Sequence, residues 1–122
     1  MALRSLPRVF IADQSRAIIE RLAASISDVA VVIGSAANAS DAIKGIRTGN
    51  PHLVVFDIAI SNGIELLRQI KNHHPPVIVA VLTHSAEEAT RRFCQRMGAE
   101  HFLDKIRDFD KVRDIVISII AQ

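Results

Sequence analysis

Five short apolar runs, each followed by a stretch with helical spacing, constrain this chain more than any other feature. The runs are RVFIAD (8–13), VAVVIG (29–34), HLVVFD (52–57), VIVAVLT (77–83) and HFLD (101–104). Their length and their β-branched residues suit strands. Elsewhere apolar residues recur every three or four positions: Ile18, Leu22 and Ile26 in 15–26, Ile64, Leu67 and Ile70 in 63–73, and Val112, Val116 and Ile119 or Ile120 in 109–121. Segments 39–47 and 86–97 fill the two remaining helical places. Strands that are apolar throughout are covered on both faces, so the alternation predicts a parallel sheet with helices on both sides. Its crossovers are right-handed.

Boundary residues support the same division. Asn38 or Ser40 stands where the second helix needs a cap, and Gly49 closes it. Asn62 with Glu65, and Ser85 with Glu88, have the spacing of capping pairs for the third and fourth helices. His73-His74-Pro75-Pro76 stops the third helix, and Gly98 ends the fourth.

A chain of 122 residues is expected to form one domain, 1–122, with no output domain after the last helix. Aromatic residues are only 4%, with no Trp or Tyr, so the core must be aliphatic. Fifteen basic residues nearly balance thirteen acidic ones and are scattered, which argues against direct nucleic-acid binding. Cys94 is the only cysteine, so no internal disulfide forms. No run approaches the ~18 apolar residues of a membrane span, and a cytoplasmic, membrane-free protein is expected.

In a parallel sheet the working crevice lies beyond the carboxyl ends of the strands. The residues there are Asp13-Gln14, Asp57, Thr83 and Lys105. A single acid at such a place is commonly a helix cap. Four reactive groups on four strand ends suit phosphoryl handling better. A carboxylate can attack phosphorus, a second acid can hold Mg²⁺, and a hydroxyl and an ammonium can bind the phosphoryl oxygens. No glycine-rich nucleotide loop follows the first strand, and no CxxC or helical His pair is present.

In RVFIADQS, LVVFDIAISNGIELLRQI and VIVAVLTHSAEEATRRFCQRMGAEHFLDK, taken in order, the chain resembles a response-regulator receiver domain from Arg8 to about Ile120. That resemblance implies a flavodoxin-like, doubly wound five-stranded sheet of order 2-1-3-4-5 with five helices. It implies that Asp57 accepts a phosphoryl group from a histidine kinase or phosphotransfer protein. Thr83 and Lys105 would contact that group, Asp13, Asp57 and the Ala59 backbone would hold Mg²⁺, and Phe102 would be the switch aromatic. The face of the fourth helix, fifth strand and fifth helix would signal to a downstream protein or form a homodimer. Arg91, Arg92, Phe102, Lys111 and Arg113 are its candidate contacts.

Four positions depart from the family pattern. Gln14 stands where a second acid is usual, and it offers Mg²⁺ a neutral oxygen only. Gly63 follows Asp57 by six residues rather than eight, with Ile60-Ser61 in the Met-Pro places, so the loop is short and the Ala59 carbonyl is expected to shift. His84 replaces a small residue after Thr83 and can restrict access to Asp57. Ile106 replaces the Pro that commonly follows the lysine. Three readings stay open: a phosphorylated single-domain receiver, a phosphorylation-independent pseudo-receiver serving as an interaction module, and a small enzyme on the same scaffold. The chain is expected not to be an enzyme.

Overall fold

The computed structural model describes residues 5–84 and 86–120. Five strands and five helices alternate: β1 (Arg8–Ala12), α1 (Arg16–Ile26), β2 (Val31–Ala36), α2 (Ala39–Gly49), β3 (Leu53–Phe56), α3 (Gly63–His73), β4 (Ile78–Thr83), α4 (Glu88–Arg96), β5 (His101–Asp104) and α5 (Lys111–Ile120). All strands pair in parallel, in the order β2-β1-β3-β4-β5. This is the doubly wound, flavodoxin-like arrangement expected from the sequence.

The period of two along each strand divides the core into two layers. Phe10, Ala12, Val54, Phe56, Val79, Val81 and Phe102 join residues of α2, α3 and α4. Val9, Ile11, Leu53, Val55, Ala80, Leu82 and Leu103 join those of α1 and α5. β1, β3 and β4 are almost wholly buried, whereas the edge strand β2 is half exposed and carries Val31 at 48% exposure. The Phe10 ring is seated against α2 at Gly45, where a Cβ would come within 2.4 Å of it. The low aromatic content therefore reflects a sheet packed by aliphatic chains around a few fitted rings.

The observed boundaries correct several expectations. Residues 29–30 belong to the turn after α1, where the amides of Val29 and Ala30 both donate to the Ile26 carbonyl. Asn38, not Ser40, caps α2 by accepting from the Asp41 amide. Gly49 is the last helical residue, and the left-handed Asn50 (φ 49°) closes the helix. Gly98, at φ 103°, ends α4 as expected. α4 begins at Glu88, two residues later than expected, and α5 at Lys111 rather than 109. Ser85, the expected α4 cap, lies outside the described residues, and Glu87 occupies the N-cap without a side-chain bond.

The expected cap of α3 does not form. Asn62 lies in the left-handed region (φ 61°), not the extended conformation from which a cap reaches the first-turn amides. Glu65 turns instead to Arg68 and Gln69. On the inward face of α3, Leu67 and Ile70 are buried as expected, but Leu66 takes the place expected for Ile64. Leu66, Leu67 and Ile70 are buried, while Ile64 is 52% exposed. Leu67→Ala should therefore cost about 2–5 kcal/mol in urea unfolding, as a buried truncation does. Ile64→Ala should change stability by less than ~1 kcal/mol, because no core cavity forms.

Candidate functional site

The carboxyl edge of the sheet collects four polar side chains in an otherwise apolar interior. Asp13, Asp57, Thr83 and Lys105 are the only buried polar or charged residues among those described. Their placement follows from strand register. Ala12 pairs with Phe56, and Val81 with both Phe56 and Phe102, so the residues just past each strand emerge together. The ladder continues beyond the strands. The Asp13 amide donates to the Ala36 carbonyl, the Asp57 amide to Ala12, and the Lys105 amide to Thr83.

Lys105 links the two acids. Its Nζ lies 2.7 Å from Asp13 Oδ2 and 2.6 Å from Asp57 Oδ2. The other oxygen of each acid accepts a backbone amide two residues on: Ser15 N–H to Asp13 Oδ1 at 2.8 Å, and Ala59 N–H to Asp57 Oδ1 at 2.9 Å. These Asx turns fix the carboxylates on the loops that follow β1 and β3. Thr83 also hydrogen-bonds Asp57. Burial raises the Asp57 pKa, but the Lys105 ammonium, the Ala59 amide and the Thr83 hydroxyl together bring it below the usual carboxylate value. Burial likewise lowers Lys105, and its bonds to Asp13 and Asp57 overcome this and raise it.

The loop after Asp57 consists of two successive turns. The Ile60 amide donates to the Asp57 carbonyl, and the Gly63 amide to Ile60. Ile60 is buried and anchors the loop in the core. At Gly63 a Cβ would stand 2.2 Å from the Ile58 carbonyl oxygen, so only glycine admits so tight a return into α3. This packing closes the six-residue path from Asp57 to Gly63 with backbone hydrogen bonds and one buried side chain.

Asp13, Gln14, Ser15, Ile18, Asp57, Ala59, Ile60, His84 and Lys105 line an open cleft of ≈ 400 Å³. Gln14, Ala59 and His84 are exposed at its mouth. Two carboxylates and one ammonium leave the cleft floor with one net negative charge if all three are ionised. An oxygen-rich, negative wall suits a hard divalent cation. No group of three or more His, Cys, Asp or Glu is gathered as a metal cluster among the described residues. Asp13 and Asp57 would supply the charge, and Gln14 can add only a neutral oxygen.

Phe102 is buried in β5 at 4% exposure. The expected signalling face is only partly assembled around it. Arg91 reaches the Phe102 ring, Arg92 pairs with Glu88, and Lys111 pairs with Asp108. Arg113 departs from that face. It binds Asp28 and the Ser25 carbonyl, at the end of α1. The Arg113 guanidinium also holds the Asp28 carboxyl down to about 2. Sequence reasoning missed Ser15 as the N-cap of α1, although a Ser three residues before Ile18 carries that signal. It also missed the two amides that fix the acids.

A parallel 2-1-3-4-5 sheet with an acid, acid, hydroxyl and ammonium at its carboxyl edge defines a receiver-type α/β domain. The chain belongs to the response regulator receiver domain family, whose model matches residues 9–117. It is 31% identical over 98 residues to a protein-glutamate methylesterase/protein-glutamine glutaminase of Halalkalibacterium halodurans, covering 74% of this chain and 28% of that protein. It is 28% identical over 120 residues to the transcriptional regulatory protein YesN of Bacillus subtilis, covering 94% and 33%. The chain thus spans about a third or less of the length of these two relatives. The receiver domain of a NarL response regulator from Mycobacterium tuberculosis superposes with a TM-score of 0.88 at 19% identity, covering 97% and 98% of the two chains. The response regulator domain of Thermotoga maritima CheB gives 0.81 at 26%, covering 98% and 96%.

Replacing Lys105 by Met should destabilise the protein by about 3–5 kcal/mol at pH 7, because two buried carboxylates lose their counter-charge. The deficit should shrink as pH falls, because Asp57 without Lys105 is left with the raising effect of burial and takes up a proton more readily. In the unaltered chain the sign follows from the lowered Asp57 value. Its ionised form adds stability above about pH 4, which is lost as pH falls through the folded value. Urea unfolding of both proteins at the two pH values measures this.

Proposed function

We propose that this receiver domain accepts a phosphoryl group on Asp57 from the phosphohistidine of a histidine kinase or phosphotransfer protein, and signals by protein–protein contact. The carrying observation is the cleft-lining Asp57 carboxyl, held at one oxygen by Lys105 and at the other by the Ala59 amide. In transfer, an Asp57 oxygen forms a bond to phosphorus while the phosphorus–nitrogen bond breaks. The imidazole leaves with the electron pair. Lys105 and Thr83 then bind the phosphoryl oxygens as negative charge gathers on them. Mg²⁺, held by Asp13, Asp57 and the Ala59 carbonyl, would supply charge neutralisation. Gln14 lowers the charge of that donor set.

His84 at the cleft mouth narrows the approach of a donor. Phe102 links the site to the face formed by α4, β5 and α5, where a downstream protein or a second copy docks. A cytoplasmic setting fits these partners, and no described helix is long and apolar enough to cross a membrane. The solved CheX-CheY-BeF3-Mg complex from Borrelia burgdorferi, whose matched chain is 25% identical with a TM-score of 0.84, supports the class of partner and phosphoryl state. It covers 94% of this chain and 90% of the matched one. The second reading, a phosphorylation-independent interaction module, draws on Gln14 and on the ammonium that already bridges both acids.

Incubation with a small phosphodonor and Mg²⁺ should give one acid-stable, base-labile adduct by intact mass, absent in Asp57→Asn. No adduct, or one that persists in that variant, favours the interaction module. Gln14→Asp should tighten Mg²⁺ about tenfold in a titration, as an added carboxylate ligand raises affinity for a hard cation. An unchanged affinity would place the limit in the short loop.

A further inference from the structure

Lys105 meets both acids at the end of a long, flexible stem, so its aim depends on the backbone that carries it. A Pro after this lysine, common in the family, fixes its own backbone and restricts that of the residue before it. Ile106 imposes no such restriction, and at 80% exposure it is not held by packing. Two carboxylates hold the turn instead. Asp104 Oδ1 accepts the amides of Ile106 and Arg107, each at 2.9 Å. The Asp104 amide donates to Asp108 Oδ2 at 2.9 Å, and the Asp108 amide returns to the Asp104 carbonyl at 2.9 Å. The Lys105 amide donates to the Thr83 carbonyl. Every amide from Asp104 to Asp108 is thus engaged, and only that of Lys105 bonds outside the turn. The Arg107 and Ile106 amides draw the Asp104 carboxyl below its usual value, and the Asp104 amide and Lys111 do the same for Asp108.

We propose that Asp104 and Asp108 form a clasp that positions Lys105: they fix the backbone on both sides of the lysine so that its ammonium bridges Asp13 and Asp57. Their cationic neighbours do not explain them. Arg107, 3.8 Å from Asp104, and Lys111, 3.1 Å from Asp108, are 83% and 63% exposed, and ion pairs so exposed contribute little. The amide bonds to a carboxylate are the stronger interactions. Each carboxylate acts on one flank: Asp104 shapes the two residues after Lys105, and Asp108 holds the one before it. When the turn relaxes, the lysine stem regains its freedom and the ammonium spends less time on both acids. Asp104 and Asp108 are positioning residues, since the lysine alone touches the acids. Their effect on phosphoryl transfer rests on the receiver reading, whereas the clasp itself does not.

The test uses the full chain labelled with ¹⁵N-lysine. The chain has four Lys, and the Lys105 ammonium signal is identified by its loss in Lys105→Met. That side chain is 5% exposed, so its ammonium protons exchange slowly with water. Asp104→Ala should speed the exchange about tenfold, as loss of a hydrogen bond to a charged group does. Asp104→Asn keeps an oxygen for the two amides and should restore slow exchange, and Asp108→Ala should speed it as well. Unchanged exchange in Asp104→Ala overturns the clasp. So does an equal rise in Leu67→Ala, which would mark a general loss of stability. If Asp104→Ala does not fold, Asp108→Ala decides by the same readout. With a small phosphodonor and Mg²⁺, Asp104→Ala should lower the maximal rate of adduct formation and leave half-saturation by donor unchanged. An unchanged maximal rate overturns the role in transfer. No adduct in the unaltered chain counts instead against the phosphoryl-acceptor reading, and proton exchange alone then decides the clasp.

Discussion

One ammonium group makes the carboxyl edge of this sheet possible. Asp13 and Asp57 come from β1 and β3, which are neighbours in the sheet, and both acids are buried. Two like charges so placed repel, and burial disfavours each of them. Lys105, delivered from the far side by β5, lies within hydrogen-bond distance of both. It converts a repulsive pair into a triad in which every charge has a partner. The strand order matters for this reason: β4 stands between β3 and β5, so only a long side chain at Lys105 can reach the acids.

The same triad defines what the site can exchange. An incoming anion at Asp57 must share Lys105 with the acids that already hold it. A cation at the cleft relieves that competition by taking over part of the carboxylates' charge. The family's usual second acid would strengthen such a cation, and Gln14 does not. The charge balance of this receiver is therefore tilted towards the lysine. The loop that follows Asp57 is tightly built, with two successive turns and a glycine against the Ile58 carbonyl.

Much of this was legible from residue patterns. The five apolar runs located every strand; β1, β3 and β4, buried on both faces, leave an unbroken apolar signature, while the edge strand β2 was found by its β-branched residues. The four polar residues at their ends were legible for the same reason, since a charge ending such a run has few places to go. Helix detail was harder. α3 offers both Ile64 and Leu66 at plausible spacing, and only the entry angle set by the Asn62 turn decides which of them is buried. Asn62 looked like a cap by type, but its backbone conformation belongs to the short loop before it. Arg113 was equally open: a charged residue on α5 can serve either flank, and Asp28 at the end of α1 draws it away. Such choices depend on partners distant in sequence, which a local pattern does not contain.

The tight loop has a mechanical consequence. Ser61, in its second turn, accepts the amide of Ala39, the first residue of α2. The backbone between Asp57 and α3 is thus moored at three points: Ile60 in the core, Gly63 against Ile58, and Ser61 on the start of α2. A longer loop could flex locally and absorb a change at the acid. This one is too short to take up slack, so displacement at Asp57 becomes a pull on the α2 end of the sheet, the opposite flank from Phe102.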